Sequence, residues 1–116
     1  MKIGILAYED CTASMILGVM DILCFASNQH KSKKEGALFE IEIITETGKA
    51  ATSFNQFPIH AHRSIKTKLH YDLIYVPGFV GDLEVLLMKQ RKLVSWLQQQ
   101  YAKGVTLAAA CNGNFL

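Results

Sequence analysis

A mostly parallel α/β sheet domain is the fold this sequence predicts, and three observations carry the prediction. Short aliphatic runs of strand length alternate with two long stretches of helical periodicity. A helix between consecutive strands is the connection that parallel pairing needs. The length, 116 residues, allows one domain of common size, and a hydrophobic fraction of 50% with 19% charged residues is enough for a packed core.

The elements follow in order. KIGILAY, Lys2 to Tyr8, is the kind of run that a strand buried on both faces carries. After Glu9 the period changes. Met15, Ile16, Val19, Met20, Leu23 and Cys24 recur at helical spacing, which predicts a helix over about Ala13 to Ser27, capped by Thr12 or Ser14. Gly18 inside that helix costs about 1 kcal/mol against alanine, so close packing on a neighbour is expected there. From Ala37 to Gly48, Phe39, Ile41 and Ile43 alternate with Glu40 and Glu42, the pattern of a strand with one exposed face. Signals are weak from Lys49 to Thr67. FPIHAH, Phe57 to His62, reads as a short edge strand, because Pro58 lacks a ladder donor. Tyr71 to Phe79 is a second buried strand ending at Pro77-Gly78. Leu83 to Tyr101 reads as one long helix with Leu86, Leu87, Leu93, Val94 and Leu97 on its apolar side, and Gly104 stops it. VTLAAA, Val105 to Ala110, is the last strand. There is no repeat, low-complexity segment or linker.

Composition removes several function classes. The net charge is +2, with a pI near 8.5. Phosphate-binding surfaces cluster Lys and Arg, and the one dense basic run, His30 to Gly36, reads as a solvated loop. No stretch approaches the ~20 apolar residues of a membrane span, and the N-terminus lacks a signal-type segment. Cys11, Cys24 and Cys111 are odd in number and far apart, so they make neither a disulfide framework nor a C-x-x-C pair. A reducing, cytoplasmic setting follows. His60 and His62 would share one strand face, but no third metal ligand is evident and no metal is expected. Cys11, Cys24, Met15, Met20 and Met88 read as core filling, and Trp96 as a core or interface anchor. GILAYEDC lacks G-x-G-x-x-G, so no dinucleotide is called for, and no other cofactor is expected.

One constellation carries chemistry. Cys111 directly follows the last strand, with the small residues Ala109 and Gly113 two positions away on either side. A nucleophile elbow has that need, since larger side chains clash in so tight a turn. Chemistry in such sheets collects beyond the carboxyl ends of the strands. The N–H of Asn112 could donate to an oxyanion, and the N–H of Phe79, after Pro77-Gly78, could be the other donor. The competing reading is that both segments are ordinary strand-end turns.

The stretches IGILAYEDC, YDLIYVPGF, LVSWLQQQYAKGVTLAAAC and ACNGNFL together resemble the ThiJ/PfpI superfamily, which shares its fold with class I glutamine amidotransferase domains. CTASMILGVMDILCFASN resembles the first helix in the N-terminal domain of AraC-type transcriptional regulators, and CNGNFL fits that group as well. The resemblance implies a flavodoxin-like three-layer sandwich, incomplete at its C-terminal end. Residues 1–116 would be the N-terminal part of such a domain, with its C-terminal part and any helix-turn-helix region absent from this chain. Active members pair the elbow cysteine with an acid from the first helix region and a downstream histidine. Here Ser14 or Met15 stands where the acid belongs, and His30, His60, His62 and His70 all precede Cys111. A thiol that lacks its base forfeits about 10²–10⁴-fold in rate.

The expectation is therefore a non-enzymatic ligand-sensing and dimerising domain of an AraC-type regulator. Its small-molecule ligand would sit near Ser14, Gly78, Phe79, Cys111, Asn112 and Gly113, with Cys111 a vestigial nucleophile. A homodimer is expected, no membrane partner, and DNA only through a C-terminal domain. The alternatives are a cysteine-dependent enzyme (amidase, hydratase or hydrolase) or a thiol redox sensor.

Overall fold

The computed structural model describes residues 1–33 and 38–116, with side chains described outside residues 30–37. Its elements run β1 (Lys2–Leu6), α1 (Ala13–Lys33), β2 (Glu40–Thr45), β3 (Ala51–Thr52), β4 (Pro58–Ile59), β5 (Arg63–Ser64), β6 (Leu73–Val76), α2 (Leu83–Lys89), α3 (Arg91–Ala102) and β7 (Thr106–Ala109), followed by a 3₁₀ turn over Cys111–Phe115. Five strands form one parallel sheet in the order β5-β2-β1-β6-β7. This is the α/β, flavodoxin-like arrangement expected. Ile3 faces Ile41 on one side and Leu73 on the other, so β1 is the central strand.

Burial follows position in the sheet. In β1, Ile3, Ile5 and Leu6 are buried in succession, as on a strand covered on both faces. They join Ile43, Ile44, Ile74 and Val76 from neighbouring strands, Ile16 of α1, and Leu86, Leu93, Trp96 and Leu97 of α2 and α3. Edge strand β7 differs, with Thr106, Leu107 and Ala109 exposed. Pro58 lies in a separate two-stranded antiparallel pair, β3 with β4, where it needs no donor toward a central strand.

Several expectations need correction. The single helix over Leu83–Tyr101 is two helices, because Gln90 leaves helical geometry at φ −106°, ψ 28°. One non-helical residue barely shifts the apolar stripe, so the sequence pattern runs through the break unmarked. Gly18 packs on nothing, since a Cβ placed there would find no atom within 4 Å. Cys24 is exposed, on the same outward side of α1 as Leu17 and Phe25. Met88 fills no core, being 67% exposed at the outside of α2. The first helix also outruns its expected end near Ser27 and reaches Lys33, so the basic run expected as a loop begins in helix; its remainder lies outside the described residues. Among the described residues no helix is long and apolar enough to cross a membrane.

Candidate functional site

Three chain segments converge at the carboxyl ends of β1, β6 and β7. The first strand connection leads from β1 to β2 on one side, and the second from β6 to β7 on the other. The strand order therefore reverses between β1 and β6, where such sheets hold ligands. The segment after β1 pairs with the segment after β6. Thr12 N–H donates to the Gly78 carbonyl at 2.9 Å, Val80 N–H donates to the Asp10 carbonyl at 3.0 Å, and Cys11 bridges Phe79. The buried Tyr8 hydroxyl donates to the Pro77 carbonyl at 2.5 Å. Burial, with the nearby Cys11 and Tyr75 adding, pushes the Tyr8 hydroxyl pKa well up, so it remains a donor.

The third segment is the turn after β7. Ala110 is extended, and Cys111 then adopts φ 54°, in the left-handed region that L-residues with a side chain seldom enter. This is the sharp elbow the Ala-x-Cys-x-Gly spacing predicts. Gly113 makes it possible. A Cβ on Gly113 would lie 2.5 Å from the Pro77 carbonyl oxygen and 2.8 Å from that of Val76, so the elbow rests directly on the backbone leaving β6. Gly78 matches it from the other side, where a Cβ would lie 2.8 Å from Asn112 Oδ1 and 3.2 Å from Cys111 Cβ.

The Phe79 peptide groups and the Asn112 side chain, beside Cys111, satisfy one another. Phe79 N–H donates to Asn112 Oδ1 at 2.9 Å, and Asn112 Nδ2 donates back to the Phe79 carbonyl at 3.0 Å. Phe79 is thus not a spare oxyanion donor, and the sequence reading that cast it so is corrected. A side-chain amide has both a donor and an acceptor, so Asn112 clamps the two turns together. The N–H groups of Cys111 and Asn112 have no partner among the described residues.

Of the two residues that could replace the acid, Met15 is the one aimed at the elbow. Its Sδ accepts the Gly78 N–H at 3.2 Å and lies 3.1 Å from where a Gly78 Cβ would be. Ser14 is exposed. A thioether takes up no proton, and Cys111 Sγ has no hydrogen-bond partner among the described residues. Cys111 itself is exposed, whereas Cys11 is buried, with its thiol pKa raised chiefly by that burial. Glu9, an acid nearby in sequence, holds the Thr52 N–H at 3.2 Å. His62 accepts the Ile43 N–H through Nδ1 at 2.8 Å and serves the edge of β2. Among the described residues no three His, Cys, Asp or Glu gather into a metal site. Sequence reasoning missed the Tyr8–Pro77 bond and the Asn112 clamp; the aromatic at the end of the first strand and the polar side chain after the elbow were their only signals.

No protein-family profile and no curated protein matches the sequence. Solved structures do match the fold. An AraC family transcriptional regulator from Pseudomonas putida superposes with a TM-score of 0.77 at 20% identity, covering 98% of this chain and 57% of that one. A putative transcriptional regulator from Vibrio parahaemolyticus gives 0.75 at 19% identity, covering 99% and 58%. A mutant DJ-1 superfamily protein from Salmonella typhimurium gives 0.70 at 15%, covering 93% and 54%. The chain spans little more than half the length of these proteins. It has the fold of the DJ-1/ThiJ/PfpI superfamily, in a form also found in AraC-family regulators.

Proposed function

We propose that this chain is a ligand-sensing and dimerising part of a cytoplasmic transcriptional regulator, and that it performs no cysteine catalysis. The observation that carries the reading is Met15. It places a thioether beside the elbow, where a thiol nucleophile would need a proton acceptor. The internal pairing of Phe79 with Asn112 supports it further, since one of two oxyanion donors is already committed. The regulator folds that superpose over nearly the whole chain are consistent with it. A small molecule at Ser14, Cys111 and the turns around Gly78 and Gly113 would bias the pairing of two copies. DNA would be contacted through a separate domain.

The exposed, left-handed Cys111 favours a second reading, a thiol that oxidants convert to a sulfenic acid. One experiment separates the two. Cys24 is also exposed and serves as a reference thiol within the same molecule. The native chain is alkylated with limiting iodoacetamide at pH 6.5, and label on each cysteine is read by peptide mass mapping. Cys111 labelling within about threefold of Cys24 supports the sensor. Labelling of Cys111 more than tenfold faster than Cys24 marks an activated thiolate and overturns it.

A further inference from the structure

A cavity of about 130 Å³ lies at the carboxyl ends of β1 and β2, apart from the elbow. Glu9 follows β1, Thr45 and Glu46 close β2, Lys49 stands on the next turn, and Gln90 comes from the break between α2 and α3. Gln90 is the unusual member. It is only 6% exposed, and its hydrogen bonds among the described residues are backbone bonds to Leu86 and Val94. Its side-chain amide has no partner among the described residues. Yet no fully buried side-chain nitrogen or oxygen there is unsatisfied. Both facts hold together when the amide reaches the cavity. An amide that faces the cavity with no protein partner is open to a ligand atom that takes the place of water there.

The charges choose the ligand. Glu46 is half-buried, and its carboxylate makes no hydrogen bond or ion pair among the described residues. Glu9 gives one oxygen to the Thr52 N–H and keeps the other. Within this cavity the two carboxylates face one cation, Lys49, which like Glu9 is exposed; Glu46 also borders a neighbouring recess lined by Lys66 and Lys92. The Thr45 hydroxyl donates to the Lys49 carbonyl at 2.8 Å and accepts from Gly48 N–H at 3.0 Å, which holds the turn in place. A single water needs only about 10–15 Å³ of such space, so several non-hydrogen atoms fit.

We propose that this cavity binds a small primary amine. Its ammonium group sits against Glu9 and Glu46, and a second polar atom of the ligand bonds to the Gln90 amide. The site is independent of what Cys111 does.

The test titrates the ¹⁵N-labelled full chain with ethanolamine, and separately with ethylene glycol and acetate, followed by two-dimensional NMR. Ethanolamine is expected to give saturable shifts in the Gln90 side-chain amide and the Glu46 and Ala51 backbone amides. Ethylene glycol and acetate are expected to bind at least tenfold more weakly. Glu46→Gln and Gln90→Leu should each weaken ethanolamine by about tenfold, the size of one charge-assisted hydrogen bond. Glu84→Gln, on the exposed surface of α2, should change nothing. Where Gln90→Leu fails to fold, Glu46→Gln decides. Shifts that never saturate, ethylene glycol or acetate binding as well as ethanolamine, or an undiminished response in Glu46→Gln overturns the proposal.

Discussion

Replacing Gly113 by alanine adds one methyl group at the point where the elbow meets the strand beneath it. The new carbon would lie 2.5 Å from the Pro77 carbonyl oxygen, 2.8 Å from that of Val76 and 2.9 Å from the Pro77 carbonyl carbon. Ordinary carbon–oxygen contacts are roughly 3.5 Å, so the two backbones must part by about 1 Å. Neither oxygen is free to retreat. Val76 accepts Ala110 N–H at 3.0 Å, and Pro77 accepts the Tyr8 hydroxyl. Overpacking costs about 1–3 kcal/mol, and loosening one of these bonds adds about 1 kcal/mol. The expected total is about 2–4 kcal/mol, a large part of the 5–15 kcal/mol typical of a domain. Urea denaturation followed by far-ultraviolet circular dichroism measures it, and the melting temperature should fall by about 10 °C. Gly18→Ala is the internal contrast. It adds the same methyl group in open space on a helix and should stabilise by about 0.5–1 kcal/mol. A Gly113→Ala protein within 0.5 kcal/mol of the parent would refute the close-approach argument.

Other consequences are as direct. Cys111→Gly relieves a side chain held at φ 54° and should raise stability by about 1 kcal/mol; a loss in the same denaturation assay would mean that the elbow stores no strain. Asn112→Ala strips both partners from the buried Phe79 peptide groups. It should cost about 2 kcal/mol and speed hydrogen exchange at the Phe79 amide, whereas unchanged exchange would dissolve the clamp. Burial alone would raise the Glu42 carboxyl pKa. The Tyr71 hydroxyl at 2.9 Å and Arg63 at 2.8 Å outweigh burial and hold it below the usual range. A depressed folded pKa gives stability that is present above the unfolded value, near 4.3, and is lost as pH falls through the folded value. Glu42→Gln should therefore flatten the acid limb of the stability curve below about pH 4.5, and parallel curves for parent and variant would refute it.

Much of the architecture was legible because it rests on local periodicity. The alternation at Phe39, Ile41 and Ile43 and the unbroken aliphatic run from Ile3 to Leu6 mark their strands without tertiary information. The break at Gln90 was illegible for the same reason. A single residue out of helical geometry leaves the apolar spacing of Leu86 and Leu93 in register with one core. Gly18 and Gly113 show the limit at single residues. Both are glycines beside apolar positions, yet one faces open space and the other a carbonyl oxygen, and only the packing of β6 under the elbow separates them.

The sequence by itself determined the parallel α/β class and the elbow at Cys111, since strand length, helical period and small residues two places from a cysteine are properties of neighbouring positions. Only the tertiary structure decided that Met15, not Ser14, faces the elbow, that Asn112 occupies the Phe79 N–H, and that Gln90 meets Glu9 and Glu46 in one cavity. Those partners lie between 33 and 96 positions apart in the chain. Meetings at that range are set by strand order and by where each connection crosses the sheet, which no local pattern encodes.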